Sequence, residues 1–366
     1  MFRRRAAVLA GAAVVTALSL AVATRVRPET DFVRYFKRGS KPARAAAIVN
    51  ERFGGMMQFE FVVEGDIVDP AVLERMSRLA DSLRAVPHVT AVHSIVDVLA
   101  TTNQAFNGGR PEFKRLPESR AAVAQYLLLL SFSGADFLGR FVTSDYRVAR
   151  ITARFDRQES REIAAAMKPI RAAMAREFGP GAPATATAGG MPLAVLALHE
   201  SIQSSQLASV IVALGAVLSL VALSFRSLRL GLAALGPILF TLAVSFGVMG
   251  ALGLQVDVVT AMLGAIAIGI GIDYSCHLIA RRREEQAAGA RGEELARRTL
   301  AAVGPAIAAN ALAVGLGFAV LLFSSLSIIQ KFGLLVAGAM LYSSVGALAL
   351  LAAALGRRPG QGSSQC

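Results

Sequence analysis

The chain has 366 residues, 54% of them hydrophobic and only 17% charged, with 33 Gly and no Trp. That is too apolar for one ordinary soluble domain and fits a chain that is part water-soluble and part lipid-embedded. The formal net charge of +13 does not indicate a nucleic-acid partner, because it is not gathered into a stripe on a soluble surface: residues 25–203 hold 24 Lys/Arg against 19 Asp/Glu, a surplus of 5 with the signs interspersed.

Taken in chain order, the first element is an apolar run over roughly 6–24, preceded by Arg3, Arg4 and Arg5. With the small residues Ala21, Val22 and Ala23 at its end it resembles a cleavable signal peptide, but its length exceeds the 7–15 residues usual for a signal core, so a retained membrane helix is expected. Five further segments have the ~20 apolar residues needed to cross a bilayer: roughly 205–225, 230–252, 258–280, 301–324 and 331–355. Basic residues collect beside these segments, at Arg226 and Arg229, at Arg281–Arg283, Arg291, Arg297 and Arg298, and at Arg357 and Arg358. All of these clusters fall on one side if Met1–Arg5 is cytoplasmic. The expected orientation then has residues 25–204 outside the cytoplasmic (inner) membrane, the helices of 205–356 crossing it, and a short cytoplasmic tail at 357–366. Both cysteines, Cys276 and Cys366, lie outside the soluble domain, which therefore has no disulfide framework and stands on its own core.

Within the soluble domain, Met56–Val63 alternates as a strand. Pro70–Ala85 reads as an amphipathic helix capped by Asp69, and His88–Ile95 as a second strand. A loop over Thr101–Pro117 and a helix near Glu118–Ser131 follow, and then the order recurs. Tyr146–Phe155 reads as a strand, Ser160–Phe178 as a helix and Ala184–Ala188 as a strand. Two β-α-β units separated by a spacer predict an α+β domain of split β-α-β type. His88 and His93 are five apart on an expected strand and point to opposite faces, which disfavours a shared metal. No nucleophile–base set or metal-ligand spacing stands out, so neither a catalytic site nor a cofactor is expected.

The membrane segment 258–280 holds the residues that carry chemistry. Asp273 lies eight residues before Arg281, about 12 Å into the span at 1.5 Å per residue. A carboxylate at such depth costs roughly 2.5–3.5 kcal/mol on insertion scales and should face other helices or a wet cavity. Gly264, Gly269 and Gly271 permit close helix packing, and His277 shares the face of Asp273 at i+4. One reading is a polar residue that pairs with a neighbouring helix. The other is a protonation switch, in which desolvation favours the neutral acid and a wet path favours the charged form, with Tyr274 as a hydrogen-bonding neighbour. For His277, a satisfied interfacial histidine and a relay position stand equal. Gly269-x-Gly271 is no nucleotide loop, because no strand precedes it.

The run Gly269-Ile-Gly271-Ile-Asp273-Tyr274-Ser-Cys-His277-Leu, followed by Arg281-Arg-Arg-Glu284-Glu285, resembles the fourth-helix signature of the resistance–nodulation–division (RND) superfamily in its MMPL branch. Val303-Gly304-Pro305-Ala306-Ile307, Gly317-Phe318 and Lys331-Phe332-Gly333 are similar to the fifth and sixth helices of that branch. The resemblance implies a bundle of six transmembrane α-helices with an α+β extracytoplasmic porter-like domain between helices 1 and 2. It implies proton-driven export of a lipid or other hydrophobic or amphiphilic molecule, powered by the proton gradient with no cofactor, and a proton relay at Asp273, Tyr274 and His277. Family transporters carry this layout twice and this chain once, so the expectation is a half-transporter needing a second copy or another six-helix chain in the lipid bilayer, or else an inactive fragment of a longer ancestor. Asn310 stands where the family more often has a small hydroxyl residue. Two other six-helix roles share the layout: an accessory subunit for protein translocation, and a sterol- or lipid-sensing module without transport.

Overall fold

The structure is a computed structural model and describes residues 5–26, 33–132 and 135–355. It divides into two compact units. One comprises the first helix, the segment Arg34–Lys37 and the chain from Glu200 onward; the other runs from Arg38 to His199. The expected tail at 357–366 lies outside the described residues.

Helix α1 covers Arg5–Ala23 and α2 covers Lys41–Arg52. Strand β1 (Met57–Glu64), α3 (Pro70–Arg84) and β2 (Val89–His93) form the first β-α-β unit. Helices α4 (Ile95–Phe106), α5 (Arg120–Ser131) and α6 (Ala135–Leu138) follow, and β3 (Val148–Phe155), α7 (Ser160–Phe178) and β4 (Thr185–Gly190) complete the second unit. The sheet order is β2-β3-β1-β4, with each neighbouring pair antiparallel. This is the split β-α-β arrangement. Alternation along β1 turns Met57, Phe59, Phe61 and Val63 to the core. Phe59 meets Phe155 edge-on at 5.4 Å between ring centroids, a favoured aromatic geometry. Val72, Leu73, Met76, Leu79 and Leu83 from α3 join that core, as do Ile163, Met167 and Ile170 from α7. Asp69 caps α3 by accepting from the Ala71 amide, and Pro70 occupies the first turn, where its missing N–H costs nothing. Buried Glu177 accepts from Arg78 Nε at 2.7 Å and Arg176 Nε at 2.9 Å and so ties α7 to α3.

The expected strand at His88–Ile95 is shorter in the structure. His88 has φ +69 and stands outside β2. Its Nδ1 lies 3.1 Å from Asp156 Oδ1 and accepts from Arg157 Nε at 3.1 Å. Part of the expected loop 101–117 is helical, because α4 continues to Phe106 from its Ser94 cap.

Among the described residues, six helices are long and apolar enough to cross a membrane: Ala6–Ala23, Met191–Ser224, Leu228–Ala251, Val259–Ala287, Gly292–Phe323 and Ser327–Leu351. Helix α8 spans Met191–Ser224, beginning well before the segment first expected near 205. Helices α9 (Leu228–Ala251), α10 (Val258–Ala287), α11 (Gly292–Ala319) and α12 (Ser327–Val345) follow, with α12 continuing through a π-helical turn at Gly346–Leu351 into α13 (Ala352–Leu355). The buried centre is built from α9, α10 and α12 through Ala234, Ile238, Leu263, Ala267, Val336 and Ala339. Helix α1 packs on α9 at Gly247 and Gly250, where a Cβ would stand 2.7 Å from Ser19 Cβ and 2.3 Å from the Val22 carbonyl oxygen. Small residues allow such approach where lipid supplies no hydrophobic drive. An Asp257–Thr260 capping box starts α10. At the far end, Arg283 hydrogen-bonds the Phe225 carbonyl and lies over the Phe225 ring, tying α10 to the α8–α9 turn.

Candidate functional site

The residues singled out on α10 take up two different environments. Tyr274 is buried, only 2% exposed, in a cluster with Ile307, Ala311 and Ala347. Its hydroxyl donates to Met340 Sδ at 3.7 Å and accepts from Asn310 Nδ2 at 3.3 Å, so one phenol joins α10, α11 and α12. Ala347 belongs to the π-helical turn, a helix irregularity that often marks functional positions. Tyr274 makes no hydrogen bond to Asp273 among the described residues, so it is a neighbour in sequence but bonded elsewhere.

Asp273 points outward. Both Asp273 and His277 are exposed on the outer surface of the single chain, and Asp273 has no hydrogen bond or ion pair among the described residues. The helical repeat explains this: successive residues are separated by about 100°, so burying Tyr274 turns Asp273 away. Met262, Ala265, Gly269, Asp273 and His277 follow one another at steps of three or four and are all exposed. They form a stripe along one face. Asn310, on α11, is exposed as well, although its amide reaches Tyr274. Three polar side chains thus meet the surroundings where hydrocarbon would otherwise be expected. The helices that Asp273 was expected to face are not supplied by the described part of this chain.

The glycines divide in the same way. A Cβ on Gly271 would come 2.8 Å from Ile238 Cγ1, and one on Gly264 2.9 Å from Gln206 Nε2, so both sit at close approaches within the bundle. Gly269 has nothing within 4 Å and makes no close packing inside this chain. Inside the bundle, Ser245 and Ser343 are buried with no hydrogen-bond partner for their hydroxyls among the described residues, and Ser343 Oγ would stand 3.5 Å from a Cβ on Gly271. Asn310 and Met340 are the members of the site that sequence reasoning did not place. In the sequence Asn310 stands out only as an unusual residue for its position, and a lone Met in an apolar span carries no signal.

Two surface features of the other unit bear on what it can bind. A cleft of about 560 Å³ between α3 and α4 is lined by Glu74, Arg78, Asp81, Arg84, Asp97 and Lys114. An apolar groove of about 490 Å³ is lined by Val98, Ala105, Phe106 and Phe137, with Leu128 and Phe132 also exposed on the same unit.

Residues 45–361 match the MMPL family. The chain is 26% identical over 352 residues to "Putative membrane protein MJ1562" of Methanocaldococcus jannaschii, covering 93% of this chain and 87% of that protein. It is also 29% identical over 146 residues to "Probable transport protein MmpL12" of two strains of Mycobacterium tuberculosis, covering 39% of this chain but only 13% of that longer protein.

Proposed function

The chain belongs to the MMPL family, and on that premise we propose that it is one half of a proton-driven exporter of a lipid-like or amphiphilic molecule, with Asp273 as the residue that takes up and releases the proton. The observation that carries this reading is the outward placement of Asp273 in mid-span, without a hydrogen bond or ion pair among the described residues. A carboxylate against hydrocarbon costs roughly 2.5–3.5 kcal/mol on insertion scales. A second six-helix chain laid on the Asp273–His277 stripe removes that exposure and gives the acid polar neighbours. A group so placed changes its charge with its access to water, and a change of charge shifts the packing of the two halves.

His277 extends the polar path one turn toward Arg281. Tyr274, anchored by Asn310 and Met340, positions α10 against α11 and α12 rather than bonding the acid directly. In this reading the Arg281–Arg298 loop and both termini are cytoplasmic, the chain lies in the cytoplasmic membrane, and the α+β unit lies outside, where its apolar groove meets substrate. The groove's Phe106 and Phe137 favour a hydrophobic ligand over a small ionic one.

The test is transport of a fluorescent lipid in proteoliposomes under an imposed proton gradient. Asp273→Asn is expected to abolish gradient-dependent transport while the protein still inserts and purifies, and Asp273→Glu to retain part of it. Equal transport by wild type and Asp273→Asn would refute the proton role. Active protein that counts as monomeric by single-molecule photobleaching in nanodiscs would refute the half-transporter.

A further inference from the structure

Helix α2 and the turn before it carry a charge pattern that the site does not use. Residues 32–56 contain six cations, Arg34, Lys37, Arg38, Lys41, Arg44 and Arg52, against the single acid Glu51. Among the described residues, Lys37, Arg38, Lys41, Arg44 and Arg52 have no ion pair. Elsewhere Arg78, Arg84, Arg115, Arg120 and Arg176 do pair with acids, while Arg75, Arg147, Lys168 and Arg171 do not; what sets this segment apart is that one acid accompanies six cations.

The helix has two distinct faces. One is anchored: Ala46 is buried, and Asn50 Nδ2 donates to the Asp156 carbonyl at 2.8 Å. On the opposite face, at the i, i+3, i+4, i+7, i+11 positions of a helical stripe, Lys41, Arg44, Ala45, Ile48 and Arg52 are all exposed. Ile48 is 55% exposed at the middle of that stripe, and Phe53 and Met56 just beyond the helix are 61% and 49% exposed. Cations thus surround apolar side chains that no described residue of the chain covers.

Chain connectivity limits how far the start of α2 can lie from the membrane spans. Phe36 forms a β-bridge with Leu326, in the turn between the spans ending at Phe323 and beginning at Ser327. Arg34 Nη1 reaches Gln255 Oε1 at 3.4 Å, in the turn between α9 and α10. Residues 34–36 therefore sit at the ends of the membrane spans. Lys41 follows Phe36 by five residues and so lies within ~18 Å of it by chain length alone. This end of α10 is opposite to the one that carries Arg281–Arg283, so these cations work against the positive-inside pattern and do not serve orientation. They need another purpose.

We propose that α2 is a membrane-surface anchor, whose Lys41–Arg44–Ile48–Arg52 face lies on anionic phospholipid headgroups at that end of the bundle. Anionic lipid attracts Lys and Arg within about a Debye length, 8–10 Å at ordinary salt. The long basic side chains reach headgroups while Ile48, Phe53 and Met56 enter the acyl boundary, as in interfacial helices generally. The consequence is that lipid composition holds the segment joining α1 to the α+β unit. The proposal does not depend on the proton role of Asp273.

Because the chain has no Trp, Ile48→Trp introduces a single Trp, excited selectively over the five Tyr at long wavelength, into the otherwise intact protein. In nanodiscs of brominated phosphatidylglycerol its emission is expected to fall at least about twofold relative to the unbrominated lipid, and much less in brominated phosphatidylcholine or at about 1 M salt, where the screening length is about 3 Å. Thr187→Trp, on the exposed side of β4, should show no quenching in either lipid. Adding Lys41→Gln, Arg44→Gln and Arg52→Gln should abolish the lipid preference. Hydrogen exchange of α2 amides in the unaltered sequence should slow in phosphatidylglycerol relative to phosphatidylcholine. Equal quenching in the two lipids, no quenching in phosphatidylglycerol, or exchange indifferent to lipid charge would overturn the proposal.

Discussion

Gly269 and Gly271 stand two residues apart on α10, and substituting each by Ala tests opposite surfaces of one helix. A Cβ on Gly271 would lie 2.8 Å from Ile238 Cγ1 and 3.6 Å from Ile238 Cα, whereas carbon atoms in favourable contact sit at about 3.5–4.0 Å. Ile238 is fully buried and branched at Cβ, which holds χ1 to one strongly preferred rotamer in a helix, so its Cγ1 cannot swing clear. The α9 backbone has to retreat instead. Overpacking of this kind costs about 1–3 kcal/mol, offset by the ~1 kcal/mol by which Ala outranks Gly in a helix. Gly271→Ala should therefore be neutral to destabilising by about 2 kcal/mol. Gly269 has open space over it, so Gly269→Ala keeps only the propensity gain and should be stabilising by up to about 1 kcal/mol. Unfolding by SDS in mixed micelles, followed by circular dichroism, reads both midpoints. Equal midpoints for the two variants would show that the α9–α10 contact is not as tight as described. A bulkier Gly269→Leu should raise the midpoint about as Gly269→Ala does yet reduce the dimer fraction counted by photobleaching, since Gly269 lies on the Asp273 stripe. Unchanged dimerisation would remove that stripe as the interface.

Two further outcomes follow from close contacts elsewhere. Gly250→Ala should lower the SDS midpoint, because its Cβ meets the Val22 carbonyl at 2.3 Å and drives α1 from α9, while Gly236→Ala, which meets nothing within 4 Å, should not; a matched response would refute the contact. Burial pushes the Glu177 carboxyl up, but its hydrogen bonds from Arg78 and Arg176 outweigh this and hold its pKa below the ordinary 4.5. A depressed acid contributes stability that is present above the unfolded value and lost as pH falls through the folded one. Amides of α7 should therefore exchange faster as pH falls below about 4.5 after correction for intrinsic rates, and Glu177→Gln should remove that step and cost about 1.5–3 kcal/mol at neutral pH. Persistence of the step in the Gln variant would assign it to another group.

What the sequence made legible depended on whether a pattern had a polar side to read. Strand β1 alternates and α3 is amphipathic, so both, and the split β-α-β order they build, follow from periods of 2.0 and 3.6. The membrane helices are apolar nearly all round. Their existence is plain from length, but which face of α10 turns inward is not, because no contrast marks it. That choice is made by neighbours: Ile238 against Gly271, and Met340 and Asn310 on the Tyr274 hydroxyl. Asp273 was therefore identifiable as chemistry but not as direction. Helix α4 was hidden for a different reason, since Thr, Asn and Gln at 101–104 resemble loop composition until Asn103 is seen donating to the Phe113 and Arg115 carbonyls.

The direction of Asp273 is what connects the fold to the proposed machine. Had the acid turned inward, toward Ser343 and Ser245, one chain would enclose its own polar group and a second half would have no evident task. Turned outward, beside His277 and Asn310, it leaves mid-span polarity for another surface to cover. A second six-helix surface laid on this stripe completes the proposed proton site. Self-association is the simplest source, because an isologous pair brings the two Asp273–His277 stripes together with acid and imidazole available to one another across the axis. On this argument the proton site is shared: substituting Asp273 in one member of a tandem-linked pair should impair the pair as a whole, and full activity of such a hybrid would mean that each half works alone.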